Sequence, residues 1–100
     1  MNENLTHENF SRHLNTKFRV YYKPEEYLEL ELVEVTEVRE RRRQESFALL
    51  FRGPLNIQLL QYLFRVEHDE MGEFELFLVP VARNEQGFEY EAVFNRLLEK

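Results

Sequence analysis

The sequence predicts a mainly β fold: a six-stranded antiparallel meander curled into a small barrel or barrel-like sandwich, with one short helix at its N-terminus. Three observations predict it. Apolar residues alternate with polar ones at period two through most of the chain after Lys17, the pattern of strands with one buried face. The three glycines and three prolines stand at the ends of these runs, where turns belong. At 100 residues with 43% hydrophobic and 14% aromatic content, the chain makes one domain with enough apolar mass for one core. A single domain over 1–100 is expected, with the helical segment in 1–15 and the meander in 17–95.

Each element has its own signal. Thr6 is a fair N-cap, Glu8 suits the first turn of a helix, and Leu5 with Phe10 forms a hydrophobic-staple pair. A helix near 7–14 would put Phe10 and Leu14 on one face, with Asn15 as its stop. So short a helix has no independent stability in water and must dock, plugging one end of a barrel. Phe18, Val20 and Tyr22 mark a strand near 17–23, and Pro24 to Glu26 a turn. Leu28, Leu30 and Leu32 mark a second strand near 27–38. Its phase slips by one at Val33 and Val35, which predicts a bulge near Leu32–Val33. Arg39 to Glu45 reads as a polar loop. Phe47, Leu49 and Phe51 mark a strand near 46–52, closed by Gly53-Pro54. Residues 55–61 are open between a helical turn and an irregular apolar loop. Further strands follow near 62–68 (Phe64, Val66), 73–81 (Phe74, Leu76, Leu78) and 88–94 (Tyr90, Ala92, Phe94). Asn95 to Lys100 are expected to fray or add a helical turn. Phe18, Val20, Leu30, Leu32, Phe47, Leu49, Phe51, Phe64, Val66, Phe74, Leu76, Leu78, Tyr90 and Phe94 form the expected core.

The strings Phe47–Pro54 (FALLFRGP), Phe64–His68 (FRVEH), Gly72–Val81 (GEFELFLVPV) and Tyr90–Asn95 (YEAVFN) lie in one order with Leu5-Thr6, Phe10 and the Phe18 strand. Together they resemble a small bacterial family known only as a domain of unknown function. The resemblance covers nearly the whole chain. It rests on core and turn strings, so it speaks to fold and not to chemistry. It implies a free-standing protein of about this length. Some members lie near genes for phage-tail-like, tail-collar proteins, which implies an assembly or accessory role. The apolar Leu55–Leu60 segment stands where the family has a short Pro/Gly stretch.

Several function classes are disfavoured by inventory. The 13 basic and 19 acidic residues give a net charge of −6, a field that repels nucleic acid and anionic membranes. Cysteine is absent, so no disulfide, thiolate metal site or Cys nucleophile is possible. No apolar run approaches the ~20 residues of a membrane helix, and no secretory signal stands at the start, so a cytoplasmic location is expected. His7 and His13 are six apart and face different sides of a helix, and His68-Asp69-Glu70 reads as a solvated turn, so no metal is expected. Neither Ser11 nor Ser46 sits on a nucleophile elbow, and the Glu pairs at i, i+2 are what a solvated strand face needs. Without a phosphate-binding glycine loop there is no cofactor expectation, and no catalytic residue is named.

Two features stand out. Arg39, Arg41, Arg42 and Arg43 are four guanidiniums within five positions, flanked by Glu34, Glu37, Glu40 and Glu45. They read as a loop pairing with its own neighbours or gripping an acidic partner, rather than nucleic acid. The second is an apolar surplus on the other face of the strands. Phe77, Val79 and Val81 oppose Phe74, Leu76 and Leu78, Leu50 opposes Leu49 and Phe51, and Val93 opposes Ala92 and Phe94. Either the helix or the Leu55–Leu60 segment covers these residues, or they form an interface for a partner protein or for self-association. The function expected is therefore a non-enzymatic interaction or assembly module. A barrel binding a small ligand, lined by Tyr21, Tyr22, Phe64 and Tyr90, is the alternative.

Overall fold

The computed structural model describes residues 5–98 and forms a closed antiparallel barrel with a helix at one end. The part of the expected 1–15 segment before Leu5, and the last two residues, lie outside the described residues. The elements are α1 (His7–Arg12), β1 (Lys17–Lys23), β2 (Glu26–Val35), β3 (Arg39–Arg41), β4 (Gln44–Gly53), β5 (Tyr62–His68), β6 (Gly72–Asn84) and β7 (Gly87–Leu97). Around the barrel the order is β2-β1-β5-β6-β7-β4, and a β2–β4 ladder closes the ring. The meander is therefore not continuous. β1-β2-β4 and β5-β6-β7 are two three-stranded meanders, set side by side through the β1–β5 and β4–β7 ladders. Residues 54–61 cross the top of the barrel to connect them.

The predicted bulge is present. The β2–β4 register shifts between Leu32 and Glu34, where β2 turns from β1 toward β4. A second shift, between Pro80 and Ala82, leaves Val81 as the extra residue of β6.

Both ends are plugged. At the bottom Thr6 caps α1, its side chain accepting a hydrogen bond from the Asn9 N–H (3.1 Å), and Leu5 packs against the core. Phe10 is fully buried between Phe18, Phe74 and Phe94, with ring centroids 5.4–6.3 Å away. The helix ends at Arg12, earlier than the spacing suggests, because Asn15 enters the left-handed region (φ 68°) and its N–H reaches the Leu32 carbonyl (2.7 Å). Leu14 consequently leaves the Phe10 face and is exposed. At the top the 55–61 segment is irregular, and of its leucines only Leu59 is buried. The Leu59 N–H donates to the Tyr90 hydroxyl (2.9 Å), satisfying both groups in an apolar setting.

The expected core residues are buried except two that pack against the core from its rim. Phe47 and Phe94 are half-buried and stack on each other at 5.0 Å. Leu59, Met71, Phe88 and Ala92 join them.

Two local expectations are corrected. The tail does not fray at Asn95; β7 runs to Leu97, paired with Gln44. Arg39–Glu45 is a hairpin rather than a loop. β3 pairs with the start of β4, and Arg42 and Arg43 at its tip both have positive φ (53° and 65°), as a type I′ turn requires. That backbone costs a branched-chain-free but bulky Arg where Asn-Gly would rest. Arg42→Asn with Arg43→Gly is expected to stabilise the chain by about 1 kcal/mol or more, read as a raised urea midpoint.

Candidate functional site

The barrel interior is packed. Phe18, Val20, Leu30, Leu32, Leu49, Phe51, Val66, Leu78 and Tyr90 are fully buried within it. The residues expected to line a ligand pocket are not brought together. Phe64 and Tyr90 are core, Tyr22 is half-buried, and Tyr21 is on the outer wall. There the Arg65 guanidinium lies 3.8 Å over the Tyr21 ring, and the Tyr21 hydroxyl donates to Glu67 (2.9 Å). That bond and the Arg19 guanidinium hold the Glu67 carboxyl below its ordinary range.

The outer wall carries the apolar surplus. Strand alternation turns Leu63 of β5, Phe77 and Val79 of β6, Val93 of β7 and Leu50 of β4 outward. Val79, Glu91 and Leu50 stand in one row across three strands. Leu63 and Phe77 are direct cross-strand partners, each 49% exposed, while Val81 is 48% and Val93 58% exposed. Leu50 and Val79 are half-buried. Neither α1 nor Leu59 covers this wall, since both are drawn into the barrel ends. Leu63 was not singled out in the sequence because it sits next to Phe64 in a run that alternates with Arg65 and Glu67. Its pairing with Phe77 is long-range and leaves no local signal.

Arg39, Arg41, Arg42 and Arg43 are all exposed on the β3–β4 hairpin. None of them joins an ion pair among the described residues. Pairing within the loop, one of the two readings of this segment, is therefore not seen. The nearby ion pair is Arg96–Glu45 (2.8 Å) across β7 and β4.

A cleft of about 560 Å3 opens at the bottom of the barrel, between the start of α1 and the β3–β4–β7 flare. Leu5, Val38, Phe47 and Phe94 give it an apolar floor, and His7, Glu45 and Arg96 lie on its walls. His7 Nε2 is 2.9 Å from the Thr36 carbonyl, and its ring meets Phe47 edge-on at 5.2 Å.

His68 is buried rather than solvated. Its ring lies 4.7 Å from His13 and 4.3 Å from Phe18. Its Nδ1 accepts from the N–H groups of Glu70 (3.1 Å) and Met71 (3.2 Å), so it ties down the β5–β6 turn. Burial first, and the neighbouring His13 second, push its pKa down. No cluster of three or more His, Cys, Asp or Glu suited to a metal occurs among the described residues. No helix among them is long and apolar enough to cross a membrane.

Against known proteins, residues 5–94 match a family described as a domain of unknown function, DUF6916. No curated protein and no solved structure matches the chain.

Proposed function

The chain belongs to this family of unknown function, DUF6916, and from its own geometry we propose that it is a non-enzymatic interaction module docking a partner protein through the outer wall of β5, β6 and β7. The observation that carries this reading is the half-exposed Leu63–Phe77 pair beside Val93, on the outside of a barrel whose interior is already packed. A soluble wall with only a solvation role would put polar side chains at these positions, as it does at Arg65, Glu73 and Glu75. The four unpaired arginines of the β3–β4 hairpin support an acidic surface on the same or a second partner. The −6 charge argues against nucleic acid and membrane as that partner. An accessory role in a phage-tail-like assembly, in the cytoplasm of a bacterium, is the biological setting we propose.

A small-ligand function is the second reading, and the bottom cleft favours it.

The test is Leu63→Glu and Phe77→Glu, each made alone. Both positions are half-exposed, so the thermal midpoint is expected to fall by only a few degrees. Capture of co-encoded proteins by the immobilised chain, or its self-association in sedimentation, is expected to be lost in both. If the variants unfold instead, the wall is ordinary core; if capture survives in a folded variant, the docking reading fails.

A further inference from the structure

The barrel wall is not hydrogen-bonded along its whole height. On one side, β7 pairs with β4 without a break from Gly53–Phe88 to Gln44–Leu97. On the other, β6 and β7 pair only from Asn84–Gly87 to Val79–Glu91. The Leu98 N–H donates to the Arg43 carbonyl (2.7 Å), which sets the phase of the β4–β7 ladder. Even-numbered residues of β7 direct their main-chain groups to β4. Val93, Asn95 and Leu97 direct theirs away from it. The β6–β7 ladder stops at Val79–Glu91 before it reaches them, and all three are exposed.

This edge borders the bottom cleft, whose walls include Phe94, Asn95 and Arg96. We infer that the Val93–Leu97 edge of β7 is a strand-addition site for an extended segment of another protein, apolar at every second residue and basic at the others. Three N–H and three C=O groups give such a segment its main-chain bonds. Its inward side chains fall in phase with Phe94 and meet the rings of Phe94 and of Phe10, which reaches from Phe94 to Phe74 of β6. Its outward side chains fall in phase with Val93, Asn95 and Leu97. There they face Glu75 of β6 and Glu91 of β7, which have no ion-pair partner among the described residues, in a chain of net charge −6. Arg96 is already held by Glu45, and the exposed arginines of the β3–β4 hairpin stand across β4 from this edge. A second copy of the chain carries the same negative field and is the poorer occupant. The inference rests on the reading of the chain as an interaction module, but it uses a different surface.

The experiment titrates the 15N-labelled chain with acetyl-KVKVKVK-amide at ~0.15 M salt and follows the amide spectrum. Saturable shifts are expected at Val93, Asn95 and Leu97 and in the cleft. Binding is expected to weaken at least tenfold for Asn95→Pro, for a peptide N-methylated at alternate residues, and for the EVEVEVE analogue. Asn95→Pro deletes an edge donor that β4 does not use, so the fold is expected to persist; the N-methylated peptide decides the matter if it does not. In the free chain the Val93, Asn95 and Leu97 amides are expected to exchange quickly, and those of Ala92, Phe94 and Arg96 slowly. Absence of saturable binding at millimolar peptide overturns the inference. So does equal binding of the N-methylated peptide, or self-association of the free chain through this edge. Equal binding of the acidic peptide overturns its charge preference. Leu63→Glu is expected to leave peptide binding unchanged, so failure here and failure of the outer-wall reading are separable.

Discussion

Phe10→Ala is expected to destabilise the chain by about 3–5 kcal/mol, the cost of removing a fully buried Phe from a core that collapses only partly around the gap. The reason is that Phe10 supplies the buried apolar contact of α1, beside the polar tie of His7 to the Thr36 carbonyl and its edge-on contact with Phe47. The helix has six residues, too few to persist without docking, and Phe10 is its buried residue. The Thr6 cap and the exposed Glu8–Arg12 pair (3.0 Å) add local order only. With Phe10 gone the rings of Phe18, Phe74 and Phe94 lose their common neighbour at the bottom of the barrel. That end then opens where β6 and β7 no longer pair. Such a loss is a large share of the ~5–15 kcal/mol a small domain has in total. Leu14→Ala, at an exposed position two residues past the helix, is expected to stay within about 0.5 kcal/mol. Urea midpoints of the two variants check this. An unchanged midpoint for Phe10→Ala would show that the barrel closes without its plug.

What could be read from the sequence follows the range of the interactions. Period-two alternation is local, so the barrel strands were legible from Phe18 onward. The phase slip at Leu32–Val33 is also local, and it located the bend at which β2 passes from β1 to β4. The order of strands around the barrel depends on which edges meet after 54–61 crosses the top, and no residue of that segment states it. Only the Leu59 N–H bond to Tyr90, 31 positions away, reveals what the segment does. β3 was illegible because its residues, Arg-Glu-Arg, carry no apolar phase; the hairpin is set by pairing with β4. The outward set Leu50, Phe77, Val79 and Val93 was legible from alternation. Val81 was placed with them by the same rule; it is the extra residue of β6 at the Pro80–Ala82 bulge and is exposed, and the alternation slips only after it. The free edge of β7 could not be read at all, because it is a property of where two ladders end.

His68 is expected to make the chain lose stability in mild acid. Nδ1 accepts from two main-chain N–H groups, so the neutral ring carries its proton on Nε2. Nε2–H then donates to the Thr16 hydroxyl (2.9 Å), which donates to the His13 carbonyl (2.6 Å). Every polar atom of the ring is satisfied in the neutral form. A second proton would have to sit on Nδ1, facing two donors, in a site that is 5% exposed. Burial, then the charge of His13, hold the pKa below the ordinary 6.5, against a smaller upward pull from Asp69 and Glu70. The unfolded chain takes up this proton as the pH falls below about 6.5 and the folded chain does not. The unfolded state therefore binds more protons, and stability that is full above that pH is lost as the pH falls toward the folded value. One proton gives a slope of at most about 1.4 kcal/mol per pH unit. Between pH 7.5 and 5.5 the expected loss is on the order of 1 kcal/mol. His68→Leu separates this from the other histidines. It strands the Glu70 and Met71 N–H groups and is expected to cost about 2–4 kcal/mol at pH 7.5. Its urea midpoint is then expected to move less over the same pH interval than that of the unaltered chain. Equal pH dependence in the two would place the acid sensitivity elsewhere and leave His68 as a turn clamp alone.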